Sequence, residues 1–157
     1  MKTIIVPTDF SPVAANALKY AIDMANDIGA QIILLNTYQV PVSYSDAPIS
    51  PVSTISIEDI RASSEQRLED LRQEVARLTN GSIQVLTEAR LGNTIDVLED
   101  MCSEIRPFTV VMGSQGTTGL ERMIMGSTTL SVIRNLRHPV IVVPPGTTYK
   151  TIRKIGL

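Results

Sequence analysis

One feature constrains this chain more than any other. Short β-rich apolar runs alternate with longer stretches whose apolar residues recur at steps of three and four. Thr3–Val6 is the first run and ends at Pro7. Ser11 then reads as an N-cap and Pro12 as a first helical residue, a favoured pair because proline lacks the N–H that a first turn leaves unbonded. Val13, Ala14, Ala17, Leu18, Ala21, Ile22, Ala25 and Ile28 follow on one helical face, which stops at Gly29. Ile32–Leu35 is a second buried run. After a Pro- and Ser-rich stretch from Tyr38 to Ser56, read as a long exposed loop, Ser56 caps a helix. Its apolar positions are Ile57, Ile60, Leu68, Leu71, Val75 and Leu78, and Asn80-Gly81 ends it. Ile83, Val85, Thr87 and Ala89 alternate with more polar neighbours except at Leu86, which suggests a strand with one face partly wet, at a sheet edge. Gly92-Asn93-Thr94 opens a helix through Ile95, Leu98, Met101, Cys102 and Ile105, ended by Pro107. Thr109–Met112 is again apolar. A helix runs through Leu130, Ile133 and Leu136, and Val140–Val143 is a last strand before Pro144-Pro145-Gly146. The order β-α-β-α-β-α-β-α-β implies an α/β domain: a mostly parallel sheet with helices on both faces. Ligands of such sheets bind beyond the carboxyl ends of strands where the strand order reverses. The loops of interest are therefore Pro7–Ser11, the stretch from Asn36 onward, and Gly113–Gly126.

Length and charge narrow the function. With 157 residues one domain is expected. A net charge of −2 excludes a broad electrostatic grip on nucleic acid. Two Phe, four Tyr and no Trp leave little for base stacking. No apolar run approaches the roughly 18 residues of a membrane span, and the N-terminus lacks the features of a signal peptide. A single cysteine, Cys102, and a single histidine, His138, provide neither a disulfide nor a typical zinc site. Together these point to the cytoplasm. Cys102 shares a helical face with Leu98 and Ile105 and reads as a buried thiol, His138 as a structural or surface imidazole. Ser114 and Ser127 have no evident general base, so no catalytic residue and no metal ligand set is assigned.

The segment after the fourth strand carries the chemistry. Gly113, Gly116 and Gly119 permit positive φ and close approach of backbone to a ligand. Gly126-Ser127-Thr128-Thr129 opens the next helix, where unpaired N–H groups and partial positive charge suit phosphate. The pattern is neither G-x-G-x-x-G nor a P-loop. On physics alone, turn glycines and an anion site remain equally open.

Gly113-x2-Gly116-x9-Gly126-Ser127 resembles the nucleotide motif of the universal stress protein family, G-x2-G-x9-G-[ST]. Ile4-Ile5-Val6-Pro7-Thr8-Asp9-Phe10-Ser11 resembles the family's first strand and turn, and Pro139–Val143 its last strand. The resemblance covers nearly the whole chain. It implies a five-stranded sheet of order 3-2-1-4-5, Rossmann-like and akin to the adenine-nucleotide α-hydrolases, with the ATP site of the family's ATP-binding branch. Pro7, Thr8 and Asp9 would lie beside the adenosine, and Thr37, just after strand two, would meet the adenine through its backbone. Met112, Gly113 and Gly116 would line the ribose and first phosphates, and Gly126, Ser127, Thr128 and Thr129 would hold the outer phosphates. Gln115 stands where some members carry His or Arg, and Asn36 where His is frequent. ATP is the expected cofactor, with AMP as an alternative occupant and Mg²⁺ as its companion ion.

The resemblance implies an ATP-binding stress-response module rather than a fast catalyst, and no general base or arginine finger for fast hydrolysis is evident in the sequence. Two rivals remain. A nucleotide-free interaction module would share the fold, whereas an adenylating enzyme would need a glycine-rich loop where this chain has Pro7-Thr8-Asp9-Phe10-Ser11. The apolar edge Val140–Val143 invites pairing, so a homodimer or tandem-domain pair through it is expected. The family domain is expected over 1–146, with 147–157 a tail that loosely repeats the chain's own start.

Overall fold

The computed structural model describes residues 1–39, 56–115 and 125–151. Five parallel strands stand in the order β3-β2-β1-β4-β5, as the resemblance implies. The strands are β1 (Lys2–Pro7), β2 (Ala30–Tyr38), β3 (Val85–Leu91), β4 (Thr109–Gly113) and β5 (Val140–Val143). The helices are α1 (Pro12–Ile28), α2 (Ile57–Leu78), α3 (Thr94–Ile105) and α4 (Ser127–Asn135).

The pleat of the central strands sorts the core into two layers. Ile4, Val6, Ile32, Leu34 and Val111 face Ala17, Leu18 and Ala21 of α1 and Leu68 and Val75 of α2. Their sequence neighbours Ile5, Ile33, Leu35, Val110 and Met112 face Leu98, Met101 and Cys102 of α3 and Val132 of α4. Side chains alternate across a strand, so runs buried on both faces need apolar residues at every position. Full burial of each such side chain stabilises by about 1.5–3 kcal/mol.

The helix boundaries follow local chemistry. The Ser11 hydroxyl accepts from Ala14 N–H at 3.2 Å, and Gly29 closes α1 at φ 64°. Ser56 and Asp59 form a reciprocal capping box at the start of α2, and Asn93 caps α3 through Ile95 N–H.

Several expectations need correction. β2 continues past Leu35 to Tyr38, so Thr37 lies within the strand rather than after it. The register with β3, from Ile32↔Val85 to Tyr38↔Leu91, carries the ladder beyond the apolar run. α2 buries only Ser64, Leu68 and Val75 among the residues described; Ile57 is 46% and Leu78 70% exposed, because only one narrow stripe of that helix meets the sheet. On α4 the buried residues are Thr129 and Val132, whereas Leu130 and Ile133 are 36% and 45% exposed. The helix ends at Asn135, one residue before Leu136. The exposed loop was expected to begin at Tyr38, but Tyr38 belongs to β2, and residues 40–55 lie outside the described part.

The segment after β5 folds back along α1. The Asn16 amide donates to the carbonyls of Pro144 and Thr147 at 3.1 and 3.3 Å. The Tyr149 hydroxyl donates to Asp27 at 2.7 Å, and its ring meets Tyr20 edge-on at 5.3 Å.

Candidate functional site

The strand order reverses between β1 and β4, and there a cleft of about 290 Å³ opens at the carboxyl ends of the strands. Pro7, Thr8, Asp9, Thr37, Met112, Gly113, Gln115, Gly126, Ser127, Thr128 and Thr129 all line it. These residues span 123 positions of sequence (129 minus 6), and the parallel sheet brings them together. Gly116, also expected here, lies outside the described residues.

One wall is the β1–α1 turn, which is folded by its own side chains. Thr8 N–H continues the ladder to Leu35 C=O at 2.8 Å. The Thr8 hydroxyl accepts from Phe10 N–H, and Asp9 Oδ1 accepts from Ser11 N–H, each at 3.0 Å. Asp9 is therefore a turn former as well as a cleft residue. Phe10 sits at φ 63°, a conformation disfavoured for a bulky side chain.

The second wall is the end of β2. The Asn36 amide donates to Thr8 C=O at 2.7 Å and its Oδ1 accepts from Ser64 at 2.6 Å. Asn36 thus clamps the turn to α2. The hydroxyls of Thr37 and Thr94 are 2.7 Å apart, which joins the start of α3 to the same wall.

The third wall is the junction of β4 with α4. Gly126 N–H donates to Ser114 C=O at 2.9 Å, and the buried Thr129 hydroxyl donates to Gly113 C=O at 3.0 Å. These two bonds hold the first turn of α4 against the end of β4. Intrahelical bonding starts only at Leu130 N–H to Gly126 C=O. The N–H groups of Ser127, Thr128 and Thr129 have no acceptor within the helix, and Gly126 offers no side chain to cap them. They concentrate the positive end of the helix dipole at the cleft.

Gly113 needs a different explanation from the one its motif suggests. Its φ is not positive. A Cβ there would lie 2.8 Å from Val13 Cγ1 and 3.1 Å from Val13 C=O. The glycine permits α1 to cross close over the end of β4, so it serves helix–strand packing first.

Asp9 is the single charged residue among the described lining residues. The described residues hold no group of three or more His, Cys, Asp or Glu that could bind a metal. His138 is half-buried and lines neither this cleft nor the adjoining groove. Cys102 is fully buried, and burial pushes its thiol up to about 11.

Sequence reasoning did not assign Ala14, Leu35 or Thr94 to the site, and it noted Asn36 only beside it. Thr94 was detectable in principle. It begins the helix after β3, and the carboxyl-end rule applies to that strand too, because β3 neighbours β2.

The fold and site define a class: a doubly wound α/β domain whose cleft lies at the topological switch point and is walled by a helix N-terminus that Gly126 leaves without a side-chain cap. The universal stress protein family model matches residues 1–144, and the chain belongs to that family. A universal stress protein of Methanocaldococcus jannaschii is 29% identical over 143 residues, covering 90% of this chain and 81% of that protein. The fold matches universal stress protein UspA from Lactobacillus plantarum with a TM-score of 0.70 at 24% identity, over 90% of this chain and 97% of that one. It also matches the universal stress protein from Archaeoglobus fulgidus in complex with dAMP (TM-score 0.62, 19% identity, 90% of this chain and 97% of that one). At these identities the structural likenesses speak for the fold. Among the described residues no helix is long and apolar enough to cross a membrane.

Proposed function

We propose that this protein binds an adenine nucleotide, ATP in the first instance, in the switch-point cleft and acts in the cytoplasm as a nucleotide-dependent stress-response module rather than a fast catalyst. The observation that carries this reading is the convergence on one cleft of the β1 turn, the end of β2 and the uncapped first turn of α4. The Archaeoglobus relative with dAMP supports it from outside.

In this reading Pro7, Thr8, Asp9 and Thr37 hold the adenosine. Met112, Gly113, Gln115 and Gly116 flank the ribose and first phosphates. The N–H groups and hydroxyls of Ser127 and Thr128 hold the outer phosphates. Thr129 contributes through its backbone, since its hydroxyl is bonded to Gly113 C=O. Phosphate charge is met by oriented N–H dipoles, with no Lys or Arg among the described lining residues. An accompanying Mg²⁺ would take its protein ligand from Asp9 and the rest from phosphate and water. Dimerisation uses β5, the outermost strand beside β4, with Leu130 and Ile133 of α4 supplying exposed apolar surface nearby.

Thermal unfolding with and without Mg-ATP, on the wild type and Gly126→Val, tests the proposal. Ligand at 100 times its dissociation constant stabilises by about 2.7 kcal/mol, which raises the midpoint by roughly 5–10 °C in a domain of this size. The shift is expected in wild type and lost in the variant. Its absence in wild type at large ATP excess would favour the nucleotide-free interaction module.

A further inference from the structure

The described lining of the cleft carries one charged side chain, the Asp9 carboxylate, and no Lys or Arg. A triphosphate there would bring several further negative charges. Within one subunit the described walls meet them with the N–H dipoles of α4 alone. A cation does stand at the other end of that helix. Arg134 lies in the last turn of α4, two turns from Ser127 and so on the same side of the helix. It is exposed, and among the described residues it makes no ion pair or hydrogen bond. Seven residues of helix are about 10 Å, which leaves the cleft of its own subunit out of reach.

The sheet edge brings that cation back. β5 is the outermost strand, and no described strand pairs with its outer side. Two copies joined there by a two-fold axis pair antiparallel. In a parallel pair the bonds slant to residues above and below the one opposite, whereas a two-fold axis along the strands would set like groups face to face. An axis normal to the sheet lays the amino end of one β5 beside the carboxyl end of the other, and it keeps both α4 helices on one face, also antiparallel. α4 begins level with the carboxyl end of β5, where Ser114 N–H bonds Val143 C=O and Gly126 N–H bonds Ser114 C=O. Nine residues of helix and four of strand are each about 13 Å long. Their midpoints therefore share one height, and one axis serves both. Helices seated over β4 and β5 then stand about 10 Å apart across it, two strand spacings, which is helix-contact distance. Thr129 and Val132 face the core. In a right-handed crossover the flank of α4 that carries the exposed Leu130 and Ile133 turns toward the free side of β5.

We propose that the nucleotide cleft is completed across this dimer: Arg134 of the partner subunit stands beside Ser127 and Thr128 and neutralises the outer phosphates. The inference rests on the nucleotide and β5-dimer readings above, and it adds the cation that the cleft's described walls lack. The contact is self-complementary, as a two-fold interface requires. Leu130 and Ile133 form its apolar middle, with an arginine at one end of each helix and an amino terminus without a side-chain cap at the other. A guanidinium fork matches a phosphate bidentately. Because only outer phosphates reach the first turn of α4, the arginine favours ATP over AMP. Linkage is reciprocal, so ATP also tightens the dimer.

Isothermal titration with ATP and with AMP, alongside sedimentation velocity, tests it. The proteins are wild type, Arg134→Ala, the double variant Leu130→Gln, Ile133→Gln, and a heterodimer purified through two tags that pairs an Arg134→Ala subunit with a Gly126→Val subunit. Wild type should be a dimer that binds one ATP per subunit. Arg134→Ala should weaken ATP at least tenfold and leave AMP within twofold. The glutamine pair should be monomeric and show the same selective loss. The heterodimer decides the direction of the contact, whichever oligomeric state Arg134→Ala adopts alone. Its Arg134→Ala subunit keeps an intact cleft that faces Arg134 of the partner subunit, so one ATP per dimer should bind within threefold of wild-type affinity. An arginine acting inside its own subunit would leave the heterodimer no tight site, and that result overturns the proposal. So does a wild-type monomer that binds ATP, a glutamine pair that stays dimeric, or an Arg134→Ala protein that binds ATP within twofold of wild type or loses AMP equally. Each of these leaves the nucleotide site standing. Failure of wild type to bind either nucleotide removes the nucleotide reading and this inference with it.

Discussion

Replacing Gly113 with alanine should destabilise the protein in the absence of any nucleotide. The added Cβ would stand 2.8 Å from Val13 Cγ1, 3.1 Å from Val13 C=O and 3.2 Å from its carbonyl carbon. Valine is stiff about χ1, and the carbonyl belongs to the first turn of α1, which Ser11 caps and Pro12 begins. Neither group can swing away independently, so α1 must shift by several tenths of an ångström against Ile4, Val6 and Val111, all fully buried. Overpacking of this kind typically costs about 1–3 kcal/mol. In a domain of this length each kcal/mol lowers the midpoint by about 2–4 °C, so a cost of about 2 kcal/mol gives a fall near 6 °C. The assay is calorimetric unfolding of nucleotide-free protein, alongside the double variant Val13→Ala, Gly113→Ala. The double variant relieves the Cγ1 clash but not the carbonyl one, so it should recover only part of the loss relative to Val13→Ala alone. A Gly113→Ala protein that unfolds at the wild-type temperature would refute the packing argument and return the glycine to a purely ligand-facing role.

Other consequences follow from the same geometry. Asn36→Leu strands Thr8 C=O and the Ser64 hydroxyl; a loss of about 1–3 kcal/mol in urea denaturation is expected, and an unchanged midpoint would show that water replaces the clamp. The Tyr149 phenol, held by Asp27, is pushed up to about 12. A raised folded-state value gives stability that is complete below the ordinary tyrosine range near 10 and is lost as pH rises through 12. The difference in midpoint between wild type and Tyr149→Phe should therefore shrink between pH 10 and 12, and a constant difference would count against the bond. Cys102, fully buried with its thiol raised to about 11, should resist iodoacetamide at pH 8 until the protein unfolds. Labelling of native protein at the unfolded rate would contradict that burial.

Much of the architecture was legible because local chemistry marks it. Ser11-Pro12 and Ser56 with Asp59 announce helix starts, and Gly29 announces a stop, since only local φ and a nearby hydroxyl or carboxylate are involved. The cleft was legible because strands buried on both faces force a parallel sheet, whose carboxyl ends converge. The edge position of β3 showed in its alternation with polar residues. What escaped was what depends on distant contacts. The extension of β2 to Tyr38 comes from pairing with β3, some fifty residues away. The exposed face of α4 depends on which side meets the sheet, and an apolar residue carries no mark of that side.

The glycines and Asn36 divide the two levels most clearly. Sequence alone determined that Gly113 begins a glycine-bearing turn after a buried strand and that Gly126 precedes a helix, because spacing and residue type are local properties. Only the tertiary structure decided that Gly113 is required by Val13 rather than by φ. It likewise decided that Asn36 ties a turn to a helix 28 residues on, and that Thr94 joins Thr37. Steric contact and hydrogen-bond partnership between segments are set by how helices seat on the sheet, and a linear pattern records only that they must seat somewhere.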